Sequence, residues 1–206
     1  MPEAGTKSQF EFTGGNLALD FINTVDNRTS DRKELLDSYA DLLRWGEQSG
    51  AISHKTAERL ARTAAETPGR AQSALRHAIQ VREAIYAVFA AVAHRRGIPG
   101  AALAMLNTAV QEAAQHAQIS HRNRQFVEDW AMPEEHLDSM LWPVSRAAAD
   151  LLVADEVAFV RDCASEGCGW LFVDTTKNRR RRWCEMRTCG NRDKARRYYQ
   201  RQKTSN

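Results

Sequence analysis

All four cysteines of this 206-residue chain fall between positions 163 and 189. They form two C-x4-C pairs, Cys163/Cys168 and Cys184/Cys189, with 15 residues between the pairs. Close thiol pairs at that separation have the spacing of a tetrahedral zinc site, although x4 within a pair is longer than the commoner x2. Four thiolates fill the coordination sphere, so one such zinc ion is structural and does not activate water. Four independent reduced cysteines, or two redox disulfides, are the other readings of the same spacing.

The residues between the pairs, GWLFVDTTKNRRRRW, read as a strand over 170–174, a polar turn over 175–178 and a return strand ending at Trp183. A helix-like segment follows Cys189. Knuckle, hairpin, knuckle, helix is the order of a treble-clef or ribbon-like finger, too small to sustain a large core of its own. In such a module the metal supplies much of the folding free energy, about 10 to 16 kcal/mol apparent by analogy with zinc-finger peptides.

Charge is unevenly placed. From Arg161 to Asn206 there are 13 Lys and Arg against 5 Asp and Glu, which is +8, while the first 160 residues carry −5. A basic end on an acidic body is the electrostatic footprint of a terminus that meets a polyanion. Arg179, Arg180, Arg181 and Arg182 lie on or beside the expected return strand, where alternate side chains take opposite faces. Arg192, Arg196, Tyr199 and Lys203 recur at helical spacing, and Lys194, Arg197 and Arg201 form a neighbouring stripe. Most such contacts go to phosphates. Arg192, Arg196 and Arg197 are the candidates for reading guanine edges, whereas Asn191 and Asp193 suit helix capping. Double-stranded DNA is the expected partner, and structured RNA is the alternative that the same charges would serve.

The first three quarters read as helical. Asn16 caps a short helix with Leu17, Leu19, Phe21 and Ile22. Further helices are expected from Asp31 to Gly50, from Ser53 to about Ala65, from Ala71 to Arg95, from about Ala101 to His116, and over LWPVSRAAADLLVADE. A hairpin is expected around 117–130, and VAFVRDC reads as a strand entering the cysteine region, with the domain boundary near 155–162. Asp20, Asn23, Thr24 and Arg82 are polar marks within apolar segments, placed to line a small-ligand pocket or to satisfy neighbouring backbone. The histidines show no H-x3-H pairing, and there is no G-x-S-x-G elbow, Walker loop or dinucleotide fingerprint. The expectation is therefore no enzyme, a metal-dependent activity of the front domain being the remote alternative. With no apolar run long enough for a membrane span and an opening unlike a signal peptide, a cytoplasmic protein is expected.

The string C-G-W-L-F-V-D, then R-R-W-C-x-M-x-x-C-G-N-R-x-K-x-R, resembles the CGNR zinc-finger family, whose tetrapeptide stands here as Cys189, Gly190, Asn191 and Arg192. GGNLALDFINT at 14–24, LLRWGEQSGAI at 42–52 and the VREAIYAVFAA helix resemble the ABATE domain that accompanies it. The resemblance implies a bacterial transcription regulator with its finger on DNA and a sensing front domain. The expected architecture is mainly α (α+β overall): a helical domain with a small β-hairpin over 1–160, then a four-cysteine finger over 161–206. Symmetric dimerisation is expected because one finger reads few base pairs. Cys184→Ser is expected to lose zinc and nucleic-acid binding together while the front helices stay folded.

Overall fold

The computed structural model describes residues 10–204. A short helix α1 (Leu17–Ile22) opens the fold, capped by Asn16, whose side chain accepts the Ala18 N–H at 2.8 Å. The preceding Gly-Gly is sterically required: a Cβ on Gly14 would lie 2.8 Å from that of Leu19, and Gly15 has φ +74°. Next come β1 (Val25–Asp26) and β2 (Lys33–Glu34), paired antiparallel.

The helix expected from Asp31 starts later. Helix α2 spans Tyr39–Gln48 with a capping box between Ser38 and Asp41, because residues 31–37 fold back to pair with β1. The capping signal at Ser38 was present in the sequence; the competing Asp31 is only a local preference. Helix α3 (His54–Glu66) is capped by Ser53, and α4 (Pro68–Ala93) starts on Pro68 at its N-terminus, so Pro68-Gly69 separates the two helices. Helix α5 (Gly100–His116) returns along α4 and runs into an antiparallel hairpin of β3 (Ala117–Arg122) and β4 (Gln125–Trp130). Helix α6 (Leu141–Val153) packs on α5 and α1.

The main core gathers Phe21, Ile22, Leu42, Trp45, Leu60, Ile85, Phe89 and Val144, all buried. It also takes in Val160 from β5 (Val160–Asp162) and Leu171 and Val173 from β6 (Leu171–Val173). Phe172, between them, points to the other side and packs with Trp170, Trp183 and the four cysteines. Strand alternation thus gives β6 a foot in each of two cores.

The expected return strand at 179–183 does not form. β5 occupies one edge of β6, with Arg161 opposite Phe172. On the other edge the Asn23 amide accepts from Leu171 N at 3.0 Å and donates to Leu171 O at 2.9 Å, and Val173 N donates to Gly14 O at 2.8 Å. With both edges taken, residues beyond Asp174 must leave the sheet. The Asp174 carboxylate accepts from the backbone N–H of Thr176 and Arg181, and Arg179 adopts φ +50°, which turns the chain away. The last helix, α7 (Asn191–Thr204), projects from the cysteine cluster.

Candidate metal centre and nucleic-acid interface

Each cysteine is delivered by local structure that sequence explains. Cys163 follows β5, and its N–H donates to Trp170 O at 2.9 Å, closing a loop that contains Gly167 (φ +81°) and Gly169 (φ +69°). A Cβ at Gly167 would meet Ser30 Oγ at 2.5 Å, so glycine serves both the left-handed turn and the close approach of the front domain. The backbone of Arg28 donates to Cys168 O at 3.0 Å, and that of Thr29 to Gly167 O at 3.3 Å. Trp170 Nε1 reaches Val25 O at 2.8 Å. The first knuckle is therefore seated on residues 25–30.

The second knuckle is a wide π-helical turn, Met186–Gly190, capped by the Glu185 side chain. A Cβ on Gly190 would fall 2.4 Å from Met186 Sδ. Asn191 closes the turn by donating to Arg187 O at 3.0 Å. Arg192 extends back, with Nη2 3.7 Å from Cys189 Sγ and Nη1 3.3 Å from Asn27 Oδ1. Cys189, Gly190, Asn191 and Arg192 thus act as ligand, spacer, turn lock and thiolate partner.

The four sulfurs are buried and lie within 4.8 Å of one another, with Cys184 Sγ 3.5 Å from Cys189 Sγ and 3.7 Å from Cys168 Sγ. A tetrahedron with Zn–S bonds of about 2.3 Å has sulfur separations of about 3.8 Å, whereas a disulfide needs about 2.05 Å. The donor set and spacing fit one structural zinc. Such a centre carries a formal charge of about −2, which Arg192 offsets from one side. Beside it opens a cleft of about 160 Å³ lined by Glu11, Asp26, Asn27 and Arg192. Burial raises the Asp26 carboxyl above its ordinary pKa, against the lowering pull of Lys33 and Arg192.

Residues 15–155 match the family described as "ABATE: Putative stress-induced transcription regulator". The chain belongs to the ABATE family. Residues 160–202 of this ABATE protein match the CGNR zinc finger, the segment that holds all four cysteines. No curated protein matches the chain.

Several basic residues of this ABATE protein are engaged internally, Arg182 among them, its guanidinium 5.1 Å from the Trp183 ring centre. Arg181 donates to Thr13 O, Trp183 O and Cys184 O, with its guanidinium 4.3 Å from the Phe172 ring centre. Arg179 donates to Asp174 O and lies over Phe159 at 3.9 Å. Arg196 pairs with Glu166 and Asp193, and Arg197 with Asp193 at 2.7 Å. Asp193 is buried and anchors the first turns of α7 rather than capping its end. With Arg192 held at Cys189, the three arginines expected to read base edges all have partners within the protein.

Arg180, Arg182 and Lys194 are exposed, as are Tyr199 and Arg201 farther along α7. Lys203 lies on α7, its side chain outside the described residues. Two exposed cations that the sequence reading passed over, Lys177 and Arg187, join this surface. Arg187 sits between the two ligands of the second knuckle, and both cations are among the 13 Lys and Arg of residues 161–206, so the charge count itself carried the signal. Asn27, Arg28 and Thr29 had no such local mark, because their role depends on contacts across the whole chain.

Asp20, Asn23, Thr24 and Arg82, expected to line a small-ligand pocket or to satisfy neighbouring groups, all make contacts of the second kind. Asn23 completes the edge of β6. Thr24 Oγ1 donates to Phe21 O at 2.8 Å and accepts from Arg82 at 3.1 Å. Arg82, 0% exposed, grips the Glu34 carboxylate with two bonds of 2.6 Å. Asp20 accepts the Gly14 N–H at 2.8 Å, holding the glycine turn.

Burial pushes the Asp20 carboxyl up to about 6, against the pull of the Gly14 N–H and Arg181. Because the folded pKa exceeds the unfolded one, stability falls as pH rises from about 4 to 6 and is level above that. Asp20→Asn, which keeps an acceptor for Gly14, is expected to remove this slope. It should stabilise the protein at pH 7 by about 1 kcal/mol after allowing for solvent screening. Urea denaturation of both proteins across that pH range checks it; parallel pH profiles would refute the assignment.

Proposed function

We propose that this protein is a zinc-dependent, duplex-DNA-binding transcription regulator with no catalytic activity, acting in the cytoplasm as a homodimer. The observation that carries this reading is the exposed cation surface of the finger, Lys177, Arg180, Arg182, Arg187 and Lys194, set around a metal centre on an acidic body. Zinc fixes the turn from which α7 departs, and the exposed cations then neutralise phosphates along a groove. A small-molecule effector of the front domain would act through residues 13–30, whose backbone seats the finger. No helix among the described residues is long and apolar enough to cross a membrane.

Five phosphate contacts give an expected slope of about −4.5 for log affinity against log salt. Arg187→Ala should shorten that slope by about 1, while zinc content stays unchanged. Selection from pooled random duplex DNA with zinc-loaded protein, in parallel with structured RNA at matched salt, tests the partner. An enriched duplex motif that is lost on chelation supports the reading. Preference for RNA, or a slope near zero for both, overturns it.

A further inference from the structure

The β3–β4 hairpin stands apart from the surface that the finger uses. Helix α5 is 17 residues long, about 26 Å, and the hairpin leaves its C-terminal end. The finger meets the opposite end of the antiparallel α4–α5 pair, where His94 Nε2 lies 3.6 Å from Asp162. The hairpin root is anchored on α6, with Trp130 and Trp142 ring centres 6.1 Å apart. Beyond the root it is bare: Phe126 is 78% exposed and Ile119 72%. The register pairs Ile119 with Glu128 and His121 with Phe126, so both apolar side chains stand on one face. Among the described residues the sheet has only these two strands, which leaves its outer edges without partner strands.

Charge on the hairpin is polarised. The tip, His121 to Arg124, is basic and turns through Asn123 and Arg124 at positive φ, while the root carries Glu128 and Asp129. Within the chain Arg122 pairs with Asp129, and Arg146 of α6 lies 3.8 Å from Glu128, so the charge offered to a second copy is that of Arg124 and of a Glu128 that is 41% exposed. This pattern is self-complementary in one arrangement. We propose that β4 pairs antiparallel with β4 of a second copy about a two-fold axis at Val127. Phe126 then lies opposite the partner's Glu128, and Arg124 lies diagonal to that same carboxylate, within reach of its long side chain. A register centred on Glu128 would oppose like charges. In the four-stranded sheet that results, Ile119 and Phe126 of both copies share one face, with Glu128 between them. The acidic root and the separation from the finger disfavour nucleic acid as the occupant, and both fingers stay exposed for two half-sites.

This inference deepens the dimer reading and rests on it, and light scattering with sedimentation over a wide concentration range separates the two. The wild type is expected to be dimeric, and Phe126→Asp, at an exposed position, should raise the dimer dissociation constant at least about thirtyfold with unchanged circular dichroism. Arg124→Glu and Glu128→Arg should each weaken the dimer, and their equimolar mixture should restore it as a heterodimer. A monomeric wild type overturns both readings. A wild-type dimer that these variants leave intact, or a mixture that fails to recover, overturns the hairpin assignment alone.

Discussion

Removing zinc, by chelation or by Cys184→Ser, is expected to loosen α1 together with the finger while α2 to α5 remain helical. The sequence alone suggested that the whole front domain would be indifferent to the metal. The structure argues otherwise, because β6 shares its side chains between the cysteine cluster and the main core and shares its outer edge with Asn23 and Gly14. Without the ion, four buried thiols lose the bonds that gather them, and the apparent cost is of the order of 10 kcal/mol. Helix α1 has only six residues and no stability of its own, so it depends on what packs against it. Hydrogen exchange read residue by residue checks this. Amides of 18–24 and 171–173 should lose protection together on chelation, and those of α4 should not. Unchanged protection at 18–24 would show that the finger melts independently.

Arg82→Ala should be the most damaging single change away from the metal. The guanidinium is fully buried and bonds to both oxygens of Glu34, to Thr24 and to Glu83. Arg28 and Arg32 reach the same Glu83, and the backbone of Arg28 holds the first knuckle. Truncating one member of a buried, hydrogen-bonded charge pair typically costs about 3 to 5 kcal/mol, because the partner is left unpaired. Urea denaturation measures this directly, and Glu34→Gln in the Arg82→Ala background should recover part of the loss. Burial alone would raise the Glu34 carboxyl, but Arg82 and the N–H groups of Leu35 and Leu36 hold it below its ordinary pKa. Its contribution is therefore present above about pH 4.5 and is lost as pH falls through the lower folded value. A loss under about 1 kcal/mol at neutral pH would mean that the cluster is dispensable.

What could be read in advance was whatever a short stretch decides for itself. The cysteine spacing located the metal ligands, and short β-prone pieces flanking a polar HRNR centre located the hairpin around 117–130. Ser53 and Asn16 declared themselves as caps. The failures share one cause, namely competition from distant residues. Residues 31–37 could have continued a helix, but Glu34 is drawn to Arg82 and the backbone to β1. Residues 179–183 could have paired with β6, but β5 and Asn23 occupy its edges first. Which arginines have partners inside the protein was illegible for a related reason: composition counts positive charges, whereas the fold decides which of them the Asp174 carbonyl, Asp193 and Glu166 hold.

The bonds between Asn23 and Leu171 join residues 148 positions apart, and Arg181 reaches Thr13 across 168. Loop closure on that scale is slow compared with forming a helix pair such as α4 and α5. During synthesis, then, the amino-terminal segment emerges first yet has to wait for nearly the whole chain before its partner strand exists. The glycine turn and the Asn23 end of α1 therefore lack their β6 partner until nearly the whole chain is made. A nascent chain stalled before Leu171 already has α4 and α6 for α1 to pack on, but the side that β6 covers stays open to whatever binds unfolded proteins.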